Sequence, residues 1–166
     1  MTFDEFVAAR LAVLLRYAAV LTGERDLAQD IVQDALIQAH RRWSRIGAMD
    51  RPELYVKRMV TREFLSWQRR TARRSALLAA KGEQRPGLAA DHADAVADRD
   101  EVRARLATLP KRQRAVLVLR YYEGLADVEI ADVLGCSPGA VRTYHSRAMA
   151  TLRLAEAATA MLKEVR

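Results

Sequence analysis

The stretch VEIADVLGCSPGAVRTYHSRA, Val128 to Ala148, decides the fold of the second half of the chain. Ala131 is followed four positions on by Gly135, and Val141 stands six beyond that. This spacing suits two helices that cross steeply. A small side chain at Ala131 permits the close approach. Gly135 tolerates the left-handed backbone of a tight turn, and Val141 points back from the second helix onto the first. Ser137 is the predicted cap of that second helix, with Pro138 its first residue. Stepping about 100° per residue from Val141 puts His145, Ala148 and Leu152 on the inward side. Gly139, Arg142, Thr143, Ser146, Arg147 and Ala150 then face outward. The outward set is small, polar and basic, as a helix entering the major groove requires. Similar trihelical spacing also occurs as plain packing, so the remaining sequence has to separate the two.

Just upstream, LATLPKRQRAVLVLRYYEGL (Leu106 to Leu125) predicts a supporting helix. Thr108 is its expected cap and Pro110 its first residue. Val116, Leu117, Leu119 and Tyr121 supply bulk for a core, and Gly124 stops it. Asp127 starts the next helix. Cys136, in the turn, reads as packing, because no second thiol exists to resolve an oxidised one.

The first part of the chain reads as three helices. Phe3, Phe6, Val7, Leu14, Ala18 and Leu21 keep helical spacing up to Gly23. A second helix, from near Asp26, turns Leu27, Ile31, Ala35, Ala39 and Trp43 inward. Its other side gathers Asp26, Gln29, Asp30 and Gln33, by itself an ordinary solvated face. A third helix has Pro52 in its first turn and an inward stripe of Val56, Val60, Phe64 and Trp67. Its opposite face carries Arg58, Arg62, Arg69 and Arg73, with Tyr55 and Ser66 among them. Four guanidinium groups with almost no acid beside them repel one another unless an anion arrives, and neighbouring aromatics can stack on exposed bases.

Charge divides the 166 residues into blocks. Residues 1–40 sum to −3, 41–81 to +9, 82–101 to −4 and 102–166 to +5, for a net +7 with 24 Arg against 4 Lys. The two basic blocks flank KGEQRPGLAADHADAVADRD, an acidic, Ala-rich stretch without bulky apolar periodicity, which reads as a linker. The expected architecture is therefore all-α: two small helical domains, 1–75 and 102–155, joined by a flexible acidic linker over 76–101, with a tail at 156–166. A hydrophobic share of 51%, mostly Ala, Leu and Val, favours helices. The excess of Arg points to a polyanionic partner.

One cysteine excludes a disulfide framework and a multi-cysteine zinc site. No apolar run nears the ~20 residues of a membrane span, and MTFDEFVAAR lacks the basic leader and apolar core of a secretion signal. A cytoplasmic protein is expected, with no membrane insertion. No Gly-rich phosphate loop, His-carboxylate metal spacing or nucleophile motif is visible, so neither enzyme chemistry, a small-molecule substrate nor a cofactor is expected.

Taken together, LLRYAAVLTGERDLAQDIVQDALIQAHRRW, YVKRMVTREFLSWQRR and LATLPKRQRAVLVLRYYEGLADVEIADVLGCSPGAVRTYHSRAMATLR resemble, in order, an RNA polymerase sigma factor of the extracytoplasmic-function group, most of all its actinobacterial SigE branch. The resemblance implies an alternative sigma factor. The helix bearing Asp30, Gln33 and Asp34 would dock on core RNA polymerase. The helix bearing Arg58, Thr61, Arg62, Trp67 and Arg69 would recognise and melt the −10 element. The helix bearing Pro138, Gly139, Arg142, Thr143, Ser146 and Arg147 would read the −35 element of promoter DNA. It also leaves room for an anti-sigma factor. Ala126 stands where the family usually has a Ser or Thr cap, which leaves Asp127 as the expected substitute. A free-standing helix-turn-helix regulator would account for the second domain but not the first. An adaptor that binds sigma or anti-sigma factors without reading DNA is the other alternative.

Overall fold

The computed structural model describes the backbone of residues 1–79 and 97–164, and side chains over 1–67 and 101–156. All regular structure among these residues is helical, and the chain divides into two units, Met1–Ala97 and Asp98–Arg166. Most of the segment read as a linker, residues 80–96, lies outside the described residues, as do Asp91 and Asp94 within it.

The first unit packs α1 (Phe3–Thr22), α2 (Arg25–His40) and α4 (Pro52–Ala79) against one another, with a single-turn α3 (Trp43–Ile46) between the last two. A capping box starts α1: Thr2 Oγ1 accepts from the Glu5 N–H, and the Thr2 N–H donates to Glu5. Gly23, at φ 79°, ends it in the left-handed conformation. The apolar stripes meet as their spacing predicts. Phe6, Leu14, Ala18 and Leu21 of α1, Leu27, Ile31, Ala35 and Ala39 of α2, and Val56, Val60 and Phe64 of α4 are all buried. Tyr17 joins them. Its hydroxyl lies 2.6 Å from Thr61 Oγ1, which donates its own proton to the Lys57 carbonyl at 3.0 Å. The Tyr17 hydroxyl is therefore the donor to Thr61, a buried bond that ties α1 to α4.

Trp43 does not extend the α2 stripe. The chain leaves the helix at Arg41, and Trp43 opens α3, where its indole packs on Phe3 and Phe6 and donates to the Met1 carbonyl. At the end of α3, Gly47 lies directly against that indole.

The second unit contains α5 (Ala97–Ala107), α6 (Lys111–Leu117) running into a π-helical turn (Val118–Tyr122), α7 (Asp127–Leu134) and α8 (Pro138–Glu164). Three expectations change here. Pro110 is the cap residue of α6 rather than its first helical residue, and the Thr108 hydroxyl closes α5 by donating to the Arg105 carbonyl. The buried Arg114 holds the same corner, donating to the Ala107 and Leu109 carbonyls. Tyr121 is 66% exposed rather than in the core, because the widened π turn rotates it outward. α8 runs unbroken from Pro138 to Glu164, through the first part of the segment read as a tail. Glu156, on that extension, pairs with Arg105 of α5, which also pairs with Glu101.

Replacing Gly47 with alanine would put a Cβ 2.9 Å from Trp43 Nε1 and 3.0 Å from its Cε2. Gly47→Ala is expected to destabilise the first unit by about 1–3 kcal/mol in urea unfolding of the full chain. A loss within ~0.5 kcal/mol, the usual range for surface changes, would show that the indole gives way freely.

Candidate nucleic-acid interface and docking face

The turn between α7 and α8 is built as its sequence requires. Gly135 sits at φ 63°, and both its N–H and that of Cys136 donate to the Ala131 carbonyl. Ser137 Oγ accepts from the Ala140 N–H and caps α8. Val141 and Ala148 are fully buried, the latter in a cluster with Leu109, Leu117, Leu106, Met149 and Leu152. With that face inward, Gly139, Arg142, Thr143, Ser146, Arg147 and Ala150 are all exposed, and Pro138 is half-buried at the helix start. Thr143 donates to the Gly139 carbonyl, which leaves its oxygen lone pairs outward. The helix thus presents a continuous small, polar and basic strip.

Asp127 does not cap α7. Ala126 is the cap residue, and the Glu129 carboxylate reaches back to accept its N–H at 2.9 Å. Asp127 instead forms an ion pair with Arg120 of the π turn, and its second oxygen lies 3.9 Å from Arg142 Nη1. Beside this pair the Tyr121 hydroxyl is 2.9 Å from His145 Nε2. Burial, and then the nearby Arg120 charge, hold the His145 imidazole below its ordinary pKa of 6.5. None of these partnerships follows from helical periodicity. The sequence signal is Ala126, whose lack of a capping group points to Asp127, whereas Glu129 makes the bond.

In the first unit, Asp30, Gln33 and Asp34 are all exposed on α2. Gln33 also lines an apolar groove of about 500 Å³ between α1 and α2, walled by Val7, Leu11, Leu15, Val32, Leu36 and Ile37. Leu36 and Ile37 fall outside the inward stripe of α2, which is how the sequence hinted at the groove. On α4, Arg62 is exposed, while Arg58 and Trp67 are half-buried. Arg58 Nε has no hydrogen-bond partner. Thr61 is a correction: it is fully buried, with its hydroxyl committed to Tyr17 and Lys57, so it has no surface to offer a nucleic acid. The side chains of Arg69 and Arg73 lie outside the described residues. Among the described residues no cluster of His, Cys, Asp or Glu is placed to hold a metal ion, and no helix is long and apolar enough to cross a membrane.

Comparison with known proteins agrees with the two-unit arrangement. Residues 6–74 match the Sigma-70 region 2 family and residues 99–152 match Sigma-70, region 4. The RNA polymerase sigma-E factor of Streptomyces avermitilis is 34% identical over 154 residues, covering 92% of this chain and 84% of the relative. The chain belongs to the sigma-70 family of RNA polymerase sigma factors, in the extracytoplasmic-function group. The extracytoplasmic-function sigma factor SigL of Mycobacterium tuberculosis is likewise 34% identical, over 86% of this chain and 82% of its own length. The fold is shared with the sigma factor RpoE solved in complex with the anti-sigma factor NepR from Bartonella quintana, at a TM-score of 0.67 and 24% identity, with 91% of this chain and 94% of that one covered.

The lowered pKa of His145 makes a pH prediction. The unfolded chain takes up this proton at a higher pH than the folded one. Stability contributed by the neutral imidazole is therefore present above about 6.5 and lost as pH falls from there toward the folded value. The His145→Gln variant should lack that component of the acid-side decline in thermal stability. Identical pH profiles for the variant and the parent would contradict it.

Proposed function

We propose that this chain is an alternative sigma factor that binds core RNA polymerase and directs initiation at promoters carrying two separate elements. Like the family as a whole, it acts as an initiation factor; it supplies no catalysis of its own and works in the cytoplasm. Polymerase docks on α2 through Asp30, Gln33 and Asp34. The −10 element meets α4 at Arg58, Arg62 and Trp67, with Arg69 assigned from sequence. The −35 element meets α8 at Pro138, Gly139, Arg142, Thr143, Ser146 and Arg147. A protein partner of the anti-sigma class, such as the one bound in the Bartonella quintana complex, regulates it.

The observation that carries this reading is the division of α8 into two faces. Val141 and Ala148 are buried, while Gly139, Arg142, Thr143, Ser146 and Arg147 are exposed. Small residues there let the helix backbone approach, while Arg142 and Arg147 can reach guanine edges or phosphates. In the other unit, Asp30 and Asp34 repel DNA phosphates and suit a basic protein surface. The same unit thereby separates a protein-docking face on α2 from a DNA face on α4.

Asp30 is exposed and its neighbours do not depend on it for packing, so Asp30→Lys should leave the fold intact. Mixed with core polymerase, the variant should assemble holoenzyme at least about tenfold more weakly than the parent on a sizing column. Assembly at parental strength would remove α2 from the docking face.

A further inference from the structure

Asp127 stands at the start of α7, outside the strip that α8 presents, yet it is the acidic group nearest to that strip's first arginine. Its two carboxylate oxygens are divided between two cations. One pairs with Arg120 of the π turn, and the other faces Arg142 Nη1 at 3.9 Å. The residues differ in freedom. The side chains of Asp127 and Arg120 are 26% and 27% exposed, whereas that of Arg142 is 67% exposed. Asp127 is thus the more enclosed anion and Arg142 the more solvent-exposed cation. Arg142 Nη2 lies 3.9 Å from where a Cβ on Gly139 would stand, an ordinary van der Waals distance. The guanidinium therefore lies back along the first turn of α8, with one edge turned toward α7.

We propose that Asp127 is a positioning residue for Arg142: by attracting one edge of its guanidinium it fixes the direction of the other, so that base choice at one position of the −35 element depends on a side chain that does not touch DNA. This rests on the reading of α8 as the −35 helix. An exposed pair at this separation does not lock a side chain, but it biases one orientation over others. The bias matters because a guanidinium reads guanine only when its planar fork is aligned with O6 and N7, while a phosphate accepts it from many directions. Without Asp127, Arg142 gains phosphate contacts and loses aim. Arg120 keeps Asp127 from following Arg142 into the groove, where a carboxylate would meet the phosphates.

The test uses holoenzyme formed from the full chain and core polymerase, bound to a duplex library randomised over the −35 region. Arg142→Ala should lower base preference at one position at least about fivefold. Asp127→Asn should lower it at the same position by a comparable factor. It should also bind mismatched duplexes more tightly and have a salt slope steeper by up to about one phosphate contact. The double variant should show no further loss of preference. Asp127→Ser, which keeps a side chain suited to a helix start without the charge, must behave like Asp127→Asn. It serves as the measured variant if the amide form folds poorly. If Asp127→Asn and Asp127→Ser tighten binding to every duplex equally and keep the preference, Asp127 acts by charge alone and the proposal fails. It also fails if the losses from Asp127 and Arg142 simply multiply in the double variant. If Arg142→Ala itself keeps the parental preference everywhere, the assignment of this arginine as a −35 base reader falls as well.

Discussion

Gly135, left-handed at φ 63° beside the small buried Ala131, sets the angle and separation at which α8 leaves α7. A Cβ at Gly135 would meet no atom, so what the position demands is backbone conformation rather than space. Once the turn is made, Val141 and Ala148 have one place to go, against α7 and α6, and the opposite face of α8 is forced into solvent. The chemistry of that face is then free to be chosen for a partner. Everything proposed for reading by α8 depends on this constraint: were the crossing wider, Val141 would lose its burial and Arg142 would no longer lie near Asp127.

The first unit solves a different problem with similar means. Three helices share one core, and a buried polar link between α1 and α4 is the Tyr17 to Thr61 hydrogen bond. It makes Thr61 part of the scaffold that holds α4, with Arg58 half-buried and Arg62 exposed on the helix flank. The Lys57 ammonium, almost buried, is held by Glu53 at 2.8 Å and lies 5.7 Å from the centre of the Tyr17 ring. The positive charge of α4 is therefore partly internal and structural, and only part of it is available outward.

Periodicity carried the reading wherever one helix packs one face. The buried stripes of α2 and α4, and the outward strip of α8, stand where spacing alone put them, because a regular helix fixes the angle between residues. It failed where the helix is not regular. A 3.6-residue period puts Tyr121 in the core, but the π turn at Val118–Tyr122 widens the repeat and carries it out to solvent beside His145. It also failed where two distant residues complete each other. Nothing local to Thr61 says that Tyr17, 44 positions earlier, will take its hydroxyl. Likewise the division of Asp127 between Arg120 and Arg142 joins three segments, and only the folded unit brings them together. Beyond residue 155 α8 runs on through Glu156–Glu164, whose mixed polar and apolar composition marks helix without marking what it packs on.

The central claim is that one chain gives core RNA polymerase two DNA-reading surfaces. Transcription reconstituted from purified core polymerase and this chain, on supercoiled fragments of the source genome with transcript 5′ ends mapped, tests it directly. Discrete start sites absent with core polymerase alone are expected, each preceded by two common sequence elements at fixed spacing. Start sites that do not change on adding the chain, or that share no upstream element, would contradict it.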